Sequence, residues 1–211
     1  MGVTQEPLVA FEQISMLSPL HGGMNFFKAL LKLIYHLHAG VFNWSDEKNV
    51  LGSRDYQKLK NSKETVRSII KEKTNLTVDV PDSTGKGGTS TTGNVVHSLL
   101  SLESNVQVLV SLVPTRFQEK MHECISRIYT ITKLYNSSLK IDVPAFKIFC
   151  SDTKKLMLES FNEVEPFDES WIYLTPSVHG LFDHSHQLIE ANNCKGVGLF
   201  TESSLESNKK S

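Results

Sequence analysis

The 211-residue chain has only three cysteines, no long apolar run and no excess of basic residues. The cysteines Cys124, Cys150 and Cys194 are far apart in the sequence, and no C-x-x-C pair occurs. The chain therefore contains neither a disulfide framework nor a zinc site built from its own cysteine pairs. We expect a reduced, intracellular compartment.

The remaining bulk properties exclude further classes of protein. No stretch of about 20 consecutive apolar residues is present, so the sequence predicts no transmembrane helix. The N-terminal MGVTQEPLVAF lacks the charged and apolar segments of a signal peptide. A net charge of −1 argues against a freestanding nucleic-acid-binding domain.

Apolar residues recur at intervals of three and four along most of the chain, which predicts an all-α, irregular helical domain of six or seven helices. We expect the main helical domain over residues 17–195, after a lead segment of residues 1–16. Residues 196–211 are predicted to start a truncated acidic terminal helix. The predicted helices cover residues 20–39, 53–73, 95–113 (as one helix or two), 116–136, 142–161 and 176–191.

The segment VPDSTGKGGTSTTGN, residues 80–94, is rich in Gly, Ser and Thr and predicts a loop that is disordered near 81–93. It is not a phosphate-binding P-loop, because Lys86 is followed by Gly87 instead of Ser or Thr. We expect the glycines to shape the loop. A contact of Lys86 with a DNA backbone is the alternative.

Three histidines, His179, His184 and His186, lie within eight residues of a predicted helix. In an ideal α-helix, residues five apart differ by about 140°, so His179 and His184 would not share a face. This geometry favours a surface helix, with His186 exposed. Zinc modules nevertheless use the H-x4-H spacing where the helix loosens around the metal, so half of a metal site is the other interpretation.

Four stretches, in this order, resemble the C-terminal part of the catalytic core of the V(D)J recombination-activating protein 1 family and the related Transib transposases. They are LHGGMNFFKALLKLI, the Gly/Thr-rich loop ending at Gly93-Asn94, SVHGLFDHSHQLI and TESSLESNKK. The resemblance covers roughly residues 17–210. We call these proteins the recombinase family.

The resemblance implies specific roles for a few residues. His179 and His184 match the family's two zinc-binding histidines, and Glu206, with Glu202 as the alternative, matches the glutamate of its two-metal DNA-cleaving site. The implied cofactors are Zn²⁺ and, in a complete parent protein, Mg²⁺ or Mn²⁺. The implied partners are DNA and either a second copy or an accessory recombinase subunit, in the nucleus.

This sequence departs from the family pattern at two kinds of ligand. The family's C-x-x-C zinc ligands and both catalytic aspartates would precede residue 1. The first hypothesis is therefore a fragment of a DDE-type endonuclease and strand transferase that is inactive alone. The alternative is a non-catalytic helical remnant of a mobile element, which binds DNA or a protein or has no activity. Glu206 also fits a capping box with Ser203, a purely structural role.

Overall fold

The computed structural model describes residues 19–42, 48–79, 91–161 and 176–197, and in these ranges it contains seven helices and no strand. The prediction of an all-α domain is therefore confirmed. The first six helices are α1 (Pro19–Ala39), α2 (Lys48–Thr74), α3 (Gly93–Ser101), α4 (Glu103–Ser111), α5 (Thr115–Tyr135) and α6 (Val143–Ser160). The seventh, α7, has three consecutive parts: Pro176–His179, a π-helical turn Gly180–His184, and Ser185–Ala191.

The core is built around α1 and α5. Helix α1 contacts α2, α3, α5 and α7, and α5 also contacts α3, α4 and α6. Each of the two helices buries an apolar stripe at helical spacing. The stripe of α1 includes Phe27, Leu30, Leu31, Ile34 and Leu37, and that of α5 includes Met121, Cys124, Ile125, Ile128 and Ile131. Within the described ranges, no helix combines the length and the apolar character that a membrane span needs.

Helix boundaries follow the local signals of the sequence. Gly40 adopts a left-handed conformation with φ 63° and ends α1. The amides of Gly40 and Val41 then donate to the carbonyl oxygens of Leu37 and His36, which completes a Schellman motif. Asp142 caps α6 by accepting a hydrogen bond from the Ala145 amide at 3.1 Å.

Two boundaries lie close to the predicted ones. A kink at Gly52, where φ is 75°, divides α2 into a short segment that starts at Lys48 and the main helix, which begins after Gly52, at the predicted residue 53. The loop predicted over 81–93 ends at Thr92, because the Thr92 side chain caps α3 and Gly93 is its first residue. The prediction of disorder concerns residues of which most lie outside the described ranges.

A polar cluster, which we call the α2 clamp, joins the end of α2 to the start of α3. The carboxylate of Asp79 pairs with the Arg67 guanidinium and accepts a hydrogen bond from the Tyr35 hydroxyl at 3.2 Å. The Asp79 amide donates to the Thr91 hydroxyl at 2.9 Å. The two sides of the undescribed 80–90 segment are therefore connected directly.

Residues 194–197 form a short strap across the end of α5. The Ile141 amide donates to the Cys194 carbonyl oxygen at 2.7 Å, and the Val197 amide donates to the Tyr135 carbonyl oxygen at 2.8 Å. Gly196 lies between these two bonds, directly against the last backbone carbonyl groups of α5 and the turn that follows it. The strap thus ties the chain after α7 to the core.

Candidate functional site

The π-helical turn of α7 brings His179 and His184 together. Their ring centroids are 5.0 Å apart, and the ring planes meet at 83°. A π turn has more residues per turn than an α-helix, which brings residues five apart toward the same face. The argument from an ideal α-helix therefore does not hold for residues 180–184, and the approach of the two histidines that the half-site interpretation predicts is confirmed.

The His179 ring is held by a carboxylate from its own helix. His179 Nδ1 lies 2.7 Å from Asp183 Oδ2. The Lys154 ammonium, which comes from α6, donates to both Asp183 oxygens, at 2.9 and 2.7 Å. Asp183 therefore bridges the histidine to a cation on a neighbouring helix. All three side chains are partly exposed, so the ion pairs themselves add little to the free energy of folding.

The His184 ring has a different polar partner. Its Nδ1 atom lies 3.3 Å from the side-chain oxygen of Gln187, one helical turn onward. Leu181 and Phe182, within the π turn, are buried in the core and fix the backbone that carries both histidines. The site is therefore the outer surface of a well-anchored helical turn.

His186 does not match its predicted environment. We expected an exposed helix residue, but the side chain is half-buried, and its Nδ1 atom is inaccessible to solvent and has no hydrogen-bond partner. Burial, together with the positive charge of Lys147, lowers the pKa of His186 below its ordinary value. His186 is less exposed than predicted because α7 packs against α6, which covers part of the helix face that carries His186.

The spacing of the two rings fits one tetrahedral zinc ion. With Zn–N distances of about 2 Å and tetrahedral angles, two imidazoles bound through one nitrogen each have ring centroids about 5 Å apart. The observed 5.0 Å agrees with this value and also with an ordinary edge-to-face contact of two rings. Among the described residues no group of three or more His, Cys, Asp or Glu side chains is placed to hold a metal ion. In the described part of the chain the candidate metal site is therefore limited to this histidine pair.

The other predicted site residues, Lys86, Glu202 and Glu206, lie outside the described ranges, and their roles remain predictions. Sequence reasoning missed Asp183 and Lys154 as partners of the histidine pair. The spacing of four between His179 and Asp183 is a signal that points to a contact on one helix face. Lys154 is 29 residues away from Asp183 in the sequence, and no local sequence pattern predicts that contact.

The sequence matches no protein-family model and no curated protein.

Proposed function

We propose that this chain is the zinc-binding helical part of a DNA recombinase of the V(D)J recombination-activating protein 1 and Transib type. The observation that carries the proposal is the contact of His179 with His184, at a ring separation suited to one zinc ion. The all-α fold around this pair agrees with the resemblance, in which an H-x4-H half-site belongs to a helical region.

In this proposal the zinc is structural. A structural zinc site takes four protein ligands in a closed tetrahedron, and the histidine pair supplies two of them. The family's C-x-x-C cysteines, which precede its Leu-His segment, would supply the other two. A zinc ion bound in this way connects the segment that carries the cysteines to α7. The residues of α7 hold the half-site in position through the buried Leu181 and Phe182.

The chemistry of the proposed parent protein is metal-assisted cleavage and strand transfer at a phosphodiester of nuclear DNA. Two divalent ions, Mg²⁺ or Mn²⁺, would stabilise the attacking and leaving oxygens when bound. Glu206, or Glu202 as the alternative, supplies one carboxylate to that site. The family's two aspartates precede its Leu-His segment, so this chain alone does not complete the set.

The metal half of the proposal is tested by adding Zn²⁺ to the purified 211-residue chain and following the histidine signals by NMR. We expect weak binding, in the micromolar range or above, that perturbs His179 and His184 together. His184→Ala should abolish the response, whereas His186→Gln, its matched control two residues away, should retain it. A nanomolar site lost in His184→Ala contradicts a two-ligand half-site, and no response at either histidine contradicts the proposal itself.

The catalytic half is tested by sequencing upstream of the Met1 codon and by a nicking assay. An in-frame C-x-x-C and two aspartates upstream are expected. The extended protein should nick plasmid DNA in Mg²⁺ or Mn²⁺, and the 211-residue chain should not. Glu206→Gln should abolish nicking by the extended protein, and Glu202→Gln should not; the reverse result assigns the role to Glu202. An upstream region without these residues contradicts the recombinase proposal.

A second candidate function is a non-catalytic helical module derived from a mobile element, which binds DNA or a protein partner. It is favoured by the finding that the described ranges contain no set of three metal-ligating side chains. The two candidates differ in the nicking assay, since the module has no cleavage activity even when the chain is extended.

A further inference from the structure

The hydrogen bond of Asp183 defines which nitrogen of His179 carries the proton. An ionised carboxylate only accepts hydrogen bonds, and Lys154 contacts both oxygens of this one. His179 Nδ1, 2.7 Å from Asp183 Oδ2, is therefore the donor. A neutral imidazole has one N–H and one lone pair, so the lone pair of His179 is on Nε2.

The same reasoning applies to the second histidine with a different partner. The Gln187 amide is oriented with its oxygen, an acceptor, 3.3 Å from His184 Nδ1. In this orientation His184 Nδ1 carries the proton and the lone pair is on Nε2, as in His179. Both imidazoles are held in the same tautomer, although one is held by a carboxylate and the other by an amide.

We infer that Asp183 and Gln187 are positioning residues that fix His179 and His184 as Nδ1–H tautomers, so that both bind a metal through Nε2. The identity of the metal as zinc rests on the proposed function. A ligand histidine that donates its second N–H to a carboxylate or an oxygen acceptor is oriented and made more basic by that bond. Asp183 and Gln187 each provide such an acceptor, within four residues of the histidine that they hold.

Lys154 connects this arrangement to the core. Its ammonium comes from α6, whereas His179, Asp183, His184 and Gln187 all belong to α7. Since Lys154 engages both oxygens of Asp183, the orientation of the carboxylate depends on how α6 and α7 pack. The position of His179 is therefore set by the tertiary structure in addition to the helix that carries it.

The test uses long-range ¹H–¹⁵N NMR on the metal-free 211-residue chain at about pH 8.5, where ordinary histidines are neutral. We expect Nδ1–H signatures for His179 and His184. Asp183→Ala should release His179 into a mixture of tautomers. Asp183→Glu keeps a carboxylate acceptor, so it should retain the Nδ1–H form. Gln187→Ala and Gln187→Glu make the same comparison for His184.

The zinc titration of the same variants gives the second readout. Asp183→Ala should weaken zinc binding by about 10-fold or more, and Asp183→Glu should weaken it less. An Nε2–H signature in the wild type, or an unchanged His179 tautomer in Asp183→Ala, overturns the inference. If the tautomers are as expected and no zinc binds to the wild type, the positioning of the two rings by Asp183 and Gln187 stands, and metal binding and the proposed function fail.

Discussion

Replacing Gly196 by alanine should destabilise the fold, because the strap passes too close to α5 for a side chain. A Cβ atom at Gly196 would lie 2.5 Å from the Leu134 carbonyl oxygen, 2.8 Å from the Tyr135 carbonyl oxygen, and closer still to that of Ser137. Real Cβ atoms almost never approach backbone oxygens this closely, so the strap or the end of α5 must shift. Gly196 does not have a positive φ, so the close approach alone requires glycine.

The size of the destabilisation depends on which backbone atoms must move to make room for the added Cβ atom. Overpacking a tight site costs typically about 1–3 kcal/mol, and here three backbone oxygens are involved instead of a flexible side chain. The hydrogen bonds of the strap, Val197 N–H to Tyr135 and the Asn192 side chain to the Gly196 carbonyl oxygen, resist that movement. We therefore expect a loss of about 3 kcal/mol in the free energy of unfolding, near the upper end of this range.

The assay is urea unfolding followed by circular dichroism at 222 nm. With a slope of about 3 kcal/mol per molar urea, the midpoint of Gly196→Ala should fall by about 1 M. Gly23→Ala is the matched control: Gly23 lies inside α1, and its added Cβ would meet only Thr132 Cγ2 at an ordinary 3.7 Å. It should raise stability by about 0.5–1 kcal/mol. Equal midpoints for Gly196→Ala and the wild type would show that Gly196 does not lie directly against the carbonyl groups at the end of α5.

Two further predictions concern the α2 clamp and the thiols. Arg67→Met should destabilise the fold by about 1–3 kcal/mol in the same urea assay, because it leaves the Asp79 carboxylate without its cation; an unchanged midpoint would show that the clamp is dispensable. Burial raises the pKa of Cys124 and Cys150 from 9.0 to about 12. Native protein at pH 8 should therefore react with a thiol reagent only at Cys194, which is partly exposed, and stability should fall as pH rises from about 9 to 12, because the unfolded thiols ionise first. Rapid labelling of all three thiols without denaturant, or an unfolding midpoint that stays constant across this pH range, would contradict the described burial.

The helices were predictable because each one buries a stripe of apolar side chains at helical spacing. Met121, Cys124 and Ile128 illustrate this in α5, where they lie at helical spacing and are buried. Boundaries were predictable where one residue acts locally, as Gly40 does in ending α1. The start of the main part of α2 after Gly52 was predicted, whereas the short helical segment before this kink was not.

The candidate site was predictable only in part. The sequence indicated the H-x4-H pair, but ideal α-helical geometry separated the two rings that the π turn brings together. A π-helical turn has no distinctive sequence pattern, because the apolar residues around it keep the spacing of a helix. The contact of Lys154 with Asp183 depends on the packing of α6 on α7, and such a distant pairing cannot be deduced from periodicity.

The α2 clamp has a consequence for how the chain tolerates changes of length. Because Asp79 and Thr91 are hydrogen-bonded to each other, the two positions that flank residues 80–90 lie at almost the same point. Doubling the length of a flexible connection between two such points costs only about 0.6 kcal/mol. We therefore expect that a fluorescent protein or an affinity tag with adjacent termini can be inserted between residues 80 and 90 with little loss of stability.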